Sequence, residues 1–308
     1  MGTITALTCA ARGPTAVPMA VIDAPVEAKP LRSALFMVAA TAMFAASMLA
    51  GKFAQLEGGM HPFQVTHARF LFAFLAILVA LAVLRPRFGK IHWALHTARS
   101  SCGFASATLV FAAAAMIPLS DATALSFLSG IFSMILAIFL LRESVGPWRW
   151  FAAAMAFTGA FVLLRPTSTL ELGAALAIAG AAVMGLELIF IKKLTGREAP
   201  LQILTINNGI GLALASVAVA FVWQTPSPAQ WWPLAGVGLA MVCGQACFLQ
   251  ALKTADASFT APFNYCILIF ATIYDFAVFA TVPDAVSWLG IAIIISGAAT
   301  LAWREARR

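Results

Sequence analysis

From Ser33 onward the chain repeats one pattern: apolar stretches of 19 to 24 residues, separated by short breaks in which most of the charged residues collect. As helices at about 1.5 Å per residue, such stretches cross a hydrocarbon layer of about 30 Å. The predicted spans are approximately 33–53, 64–84, 93–115, 119–141, 147–165, 171–191, 201–223, 231–252, 257–280 and 285–303. Because the breaks are short, consecutive helices run antiparallel and lie side by side. The expectation is an all-α integral membrane bundle of ten transmembrane helices. Composition removes the competing classes. With 62% hydrophobic and 10% charged residues there is too little polar surface for a soluble domain. The net charge of +7 is scattered between apolar blocks rather than gathered on one face, which argues against nucleic acid as a partner.

Residues 1–32 read differently. Pro14, Pro18, Pro25 and Pro30 punctuate them and Arg12 interrupts their first apolar patch, so a disordered cytoplasmic tail is expected rather than a signal peptide. With the amino terminus inside, sixteen of the nineteen Lys and Arg fall on the cytoplasmic side, and only Lys52, Arg69 and Arg165 fall outside. A missed span would scramble this sorting, so the split argues for ten spans in the inner membrane with both termini cytoplasmic. Of the five cysteines, four lie in apolar segments, where a thiol behaves as a small hydrophobe, and no disulfide framework is expected.

The two halves resemble each other. Ser120-Asp121-Ala122-Thr123 precedes span four, and Ala255-Asp256-Ala257-Ser258 precedes span nine, 135 residues later. Arg142-Glu143 then leads to Gly159, as Pro283-Asp284 leads to Gly297. Five spans per half is an odd number, so the second half is inverted in the membrane relative to the first. Such halves can open a midplane cavity to one side and then to the other.

These residues, together with Leu119 through Leu128, Ala261-Pro262-Phe263-Asn264-Tyr265, Gly290 and Trp303-Arg304-Glu305, give the chain its resemblance to the drug/metabolite transporter superfamily. It resembles in particular the proteins with two EamA-type repeats, here 33–166 and 171–304. It departs from that pattern at Gly130, where a proline is usual, and at Thr281, where an acidic residue is usual. The resemblance implies secondary transport of small metabolites. Members similar to this branch import riboflavin or S-adenosylmethionine, and others export amino acids.

Ionisable groups inside the hydrocarbon are costly, so each needs a reason. Asp275 in span nine and Glu187 in span six are the proton-coupling candidates, the competing reading being that both face the headgroups. Arg69 offers a planar fork of donors to a carboxylate or phosphate, or else anchors the outer interface. Asn207, Gln245, Asn264 and Tyr265 are the uncharged substrate-binding candidates, with Asn208 and Gln250 nearby, although such groups also bond simply to neighbouring helices. Pro262 beside Asn264 and Tyr265 frees backbone carbonyls, which favours span nine as a binding element. Gly236, Ala240 and Gly244 form a stripe for close helix contact, within one chain or in a homodimer. Trp148, Trp150, Trp231, Trp232 and Trp288 fall at predicted span ends, as an interfacial belt does.

His92 and His96 have the spacing of a metal pair, but with no carboxylate near in sequence they are expected to be surface histidines, and no metal or cofactor is expected. An integral membrane enzyme acting on lipid-linked substrates is the alternative class. It would need clustered acids or histidines at one face, whereas the twelve carboxylates are dispersed. No glycine-rich phosphate loop is present for direct use of ATP. The expected partners are a small-molecule substrate, membrane lipid and a coupling proton.

Overall fold

A computed structural model of the chain describes residues 30–141, 147–164, 172–195, 197–254, 263 and 266–305. Among these residues the secondary structure is helical throughout. The helices are α1 (Pro30–Leu56), α2 (Pro62–Leu84), α3 (Trp93–Ala114), α4 (Leu119–Ser126), α5 (Leu128–Leu141), α6 (Pro147–Leu164), α7 (Leu172–Thr195) and α8 (Pro200–Val219). A 3₁₀ turn (Pro228–Gln230) then leads into α9 (Trp231–Thr254), followed by α10 (Cys266–Phe279) and α11 (Ala285–Glu305). Among the described residues, six stretches are long and apolar enough to cross a membrane: Leu31–Leu56, Pro62–Leu84, Leu119–Leu140, Leu172–Ile191, Leu201–Val219 and Pro228–Phe248. Cys266–Phe279 and Ala285–Gly297 are shorter apolar helices. The expected tail, Arg165, Asp256 and Pro262 lie outside the described residues, apart from the few tail residues from Pro30 that begin α1.

Local sequence sets the helix ends. α2 begins with Pro62, whose missing N–H costs nothing in a first turn, and His61 Nδ1 accepts the Phe63 N–H at 3.2 Å. It ends at Arg85, which adopts a left-handed conformation (φ 41°) and donates its N–H to the Leu81 carbonyl. The predicted fourth span is broken at Phe127 into α4 and α5. There the Phe127 N–H turns to the Ala124 carbonyl at 3.1 Å and the Gly130 N–H to the Phe127 carbonyl at 3.1 Å, so the ladder tightens to i→i+3. The Ser126 hydroxyl donates to the Thr123 carbonyl at 2.6 Å, competing with the helical bonds at that point.

The packing joins helices from the two halves. α9 lies along α1 on the predicted small-residue stripe: a Cβ at Gly244 would stand 2.7 Å from the Phe44 ring, and one at Gly236 only 3.6 Å from Ala50. The hydroxyls of Ser33 and Ser47 on α1 cross to the carbonyls of Ala251 and Val237 on α9 at 2.9 and 2.7 Å. α6 meets α11 at Gly159, where a Cβ would stand 2.6 Å from the Gly290 carbonyl oxygen and 3.0 Å from the Ile294 nitrogen. Main chain touches main chain there. The principal apolar core is built from α1, α3, α4, α5, α7 and α10 around Leu119, Leu125, Leu128, Ala177 and Ala271. Trp148, Trp150, Trp231, Trp232 and Trp288 are all exposed near helix starts.

Candidate functional site

α2 and α3 of the first half and α7 and α8 of the second enclose a polar interior. Arg69 is the eighth residue of α2 and Arg99 the seventh of α3, so each guanidinium springs from the helix about 10 Å in from its end. Arg99 is 6% exposed, and its Nε stands 3.9 Å from Glu187 Oε1 on α7. The carboxylate lies against α3 because residue 103 is glycine: a Cβ there would be 3.0 Å from Glu187 Oε1. One turn on, the Ser106 hydroxyl donates to the Gly103 carbonyl at 3.2 Å. Arg69 interacts electrostatically with both Glu187 and Arg99. Three guanidinium nitrogens, Arg69 Nη1 and Arg99 Nε and Nη1, are buried without a hydrogen-bond partner among the described residues.

Asn207 on α8 borders this cluster. Its Oδ1 accepts the hydroxyl of Ser100, the neighbour of Arg99, at 3.1 Å, and both residues are buried. Asn208 instead donates to the Leu204 carbonyl of its own helix at 2.9 Å. Gln245 on α9 keeps Oε1 buried and without a hydrogen-bond partner among the described residues. Asn264 and Tyr265 lie outside the described residues.

Asp275 is elsewhere, 2% exposed, on α10. Its Oδ1 accepts from Lys52 Nζ of α1 at 2.6 Å, and its Oδ2 accepts the Leu119 N–H at 3.0 Å. Leu119 opens α4, so the carboxylate answers an unpaired helix-start N–H and the positive end of the helix dipole. The Lys52 ammonium also stands 5.0 Å from the centre of the Phe279 ring. One ion pair thus ties α1, α4 and α10 together. Near it, the Ser287 hydroxyl of α11 donates to Asp121 Oδ2 of α4 at 3.1 Å. Lys52 and Arg69, read from sequence as outer-side charges, both sit within helices and face the interior of the bundle. The sequence showed their sign but not their depth.

At the opposite end a second network joins the halves. Glu198, in the turn before α8, accepts the His92 N–H and faces His92 Nδ1, both at 2.9 Å through Oε1. Through Oε2 it meets His96 Nε2 at 2.8 Å and the Gln202 amide at 2.6 Å. Gln202 Oε1 in turn accepts the Gly89 N–H at 2.8 Å. Burial pushes the pKa of Glu198 up, but the hydrogen bonds from His96 and His92 outweigh it and hold the carboxyl down at about 2. The expectation of two surface histidines is therefore corrected. His96 is fully buried and His92 half-buried, because a carboxylate distant in sequence folds onto both. Beside them a groove of about 620 Å³ opens between His92, Trp93, Ala94, Leu95, Lys193 and Arg197.

Arg99 and Glu198 are the site residues that sequence reasoning missed. Arg99 had been counted as a cytoplasmic charge, although six residues of helix precede it. α3 is not one of the six stretches apolar enough to span by composition, since it carries His96, Arg99 and Ser100 on its buried face.

Comparison with known proteins bears on this arrangement. Residues 31–165 and 171–303 each match the family model described as "EamA-like transporter family". The chain is 28% identical over 288 residues to a riboflavin transporter of Vibrio cholerae, an alignment covering 91% of this chain and 95% of that one. It is 28% identical over 262 residues to an S-adenosylmethionine uptake transporter of Rickettsia prowazekii, covering 80% and 84%. A solved crystal structure shares its fold with a TM-score of 0.64 at 18% identity, covering 90% of this chain and 99% of that one.

Proposed function

The chain belongs to the EamA-like transporter family, and from that premise we propose that it takes up a small metabolite across the inner membrane by alternating access. It is a transporter and not an enzyme. In this reading ten helices form two inverted five-helix repeats, 33–166 and 171–304, with both termini in the cytoplasm. The solute is riboflavin-like or S-adenosylmethionine-like, and both classes are supported by relatives that align with most of the chain.

The observation that carries the reading is the interior cluster of Arg69, Arg99, Glu187 and Asn207. It draws two helices from each half, which is where a solute must sit if the halves rock around it. Charged groups are expensive inside a bundle, and only function or a partner justifies them. The two end networks fit the same cycle. Lys52 with Asp275, and His92 and His96 with Glu198, join the halves at opposite ends, and opening either end requires breaking the tie there. Glu187 in the cluster and Asp275 in the ion pair are the two proton sites of the proposal. A proton on Asp275 would release both Lys52 and the start of α4.

The test is growth rescue and uptake. Strains auxotrophic for riboflavin, and cells unable to make S-adenosylmethionine, are supplied with the chain, and labelled solute is followed into inverted and right-side-out vesicles. Rescue by either solute, with accumulation lost on collapse of the proton gradient, is expected. Loading only of inverted vesicles would make the protein an exporter, and failure of both solutes would remove the substrate assignment.

A further inference from the structure

We propose that Arg69 and Arg99 together receive an anionic group of the transported solute, a carboxylate or a phosphate held between two guanidinium forks. The inference rests on the reading of the interior cluster as the solute site and, of the two solute classes proposed, favours the S-adenosylmethionine-like one, which bears a carboxylate where riboflavin bears no anionic group.

The charge inventory points to it. Arg69 is faced by Glu187 and Arg99, Arg99 by Glu187, and Glu187 by both arginines. Among the described residues, two cations and one carboxylate leave the cluster one positive charge in excess. An uncompensated charge in a low-dielectric interior is strongly unfavourable, and an arriving anion removes that excess. The hydrogen-bond inventory agrees. Glu187 approaches Arg99 at 3.9 Å, beyond hydrogen-bonding distance, so it neutralises the guanidinium without occupying its donors. Arg69 Nη1 and Arg99 Nε and Nη1 stay unpartnered among the described residues. A guanidinium presents its donors in a plane that matches the two oxygens of a carboxylate or the edge of a phosphate, and a lysine in its place would not. Asn207 and Ser100 satisfy each other beside the cluster and can border the solute without supplying charge.

The test uses the purified full-length chain in lipid nanodiscs and two matched pairs of probes. S-adenosylmethionine is set against its decarboxylated form, and riboflavin 5′-phosphate against riboflavin, so each pair shares a scaffold and differs by one anionic group. In at least one pair the acid-bearing member should bind tenfold or more tightly than its partner. Preference in the first pair names a carboxylate and in the second a phosphate. Arg69→Gln and Arg99→Gln should reduce the preference to threefold or less, while Arg69→Lys and Arg99→Lys, which keep charge without the fork, should recover part of it. Because Arg99 is buried and its substitution can disturb folding, the Arg69 variants carry the test where the Arg99 variants lose their helical signal. Equal binding within both pairs, tighter binding of the members that lack the anionic group, or a preference unmoved by the Arg69 variants overturns the proposal and leaves the transport reading standing. If none of the four probes binds a folded, monodisperse preparation, the reading of the cluster as a solute site falls and this proposal falls with it.

Discussion

Removing the ammonium of Lys52 should unfold the protein far more readily than removing the whole ion pair. At a separation of 2.6 Å the attraction between Lys52 and Asp275 is about 6 kcal/mol at an effective dielectric constant of about 20. Desolvating each ion costs several kcal/mol, so as a unit the pair comes close to cancelling itself. Half of it does not. Lys52→Met keeps the length of the side chain and leaves Asp275, 2% exposed, with only the Leu119 N–H as its answer. The expected loss is about 3–5 kcal/mol. Asp275→Leu strands the ammonium and also gives up the acceptor for the Leu119 N–H, and a loss on the same scale is expected. The double variant Lys52→Met/Asp275→Leu strands no charge and gives up the helix-start hydrogen bond, a loss of about 1 kcal/mol. The measurement is a double-mutant cycle by detergent-driven unfolding in mixed micelles, followed by circular dichroism. A cost below about 1 kcal/mol for Lys52→Met, or a double variant as unstable as the sum of the singles, would refute the reasoning.

Three other outcomes are expected. Glu198 has a carboxyl held below its ordinary value of 4.5, at about 2, so the stability it adds is complete above about 4.5 and is lost as pH falls toward 2. The difference in thermal stability between the protein and Glu198→Gln should therefore be flat above pH 5 and shrink below it, and a difference that vanishes by pH 5 would contradict the assignment. Gly159→Ala places a methyl group against the Gly290 carbonyl and should cost about 1–3 kcal/mol, where an unchanged melting temperature would show that the contact is loose. Glu187→Gln should leave insertion intact while changing the pH dependence of uptake, and an unaltered pH profile would take Glu187 out of proton coupling.

Much of the architecture can be read from the chain because burial in lipid writes itself into composition. Nine of the ten predicted spans overlap helices to within a few residues at most ends, and the remaining span is described only over Cys266–Phe279. The break at Phe127 left no such trace, since a shift of the ladder from i→i+4 to i→i+3 changes no hydropathy. Asp275 and Glu187 stood out as acids within apolar runs, but their partners could not be seen. Lys52 lies 223 residues from Asp275, and no local pattern marks so distant a pairing. Arg99 was overlooked for a related reason. Sign and position near a loop suggested topology, whereas the helix carries the residue inward. The histidines of α3 were misplaced because Glu198 is brought to them only by the fold.

The seam between α6 and α11 sets how closely two helices from opposite halves can approach. At Gly159 the chain of one half rests on the Gly290 carbonyl of the other and on both the main chain and the side chain of Ile294, which leaves no room for a larger residue at 159. A joint this close fixes the spacing of α6 and α11, and any larger side chain at 159 would have to part them.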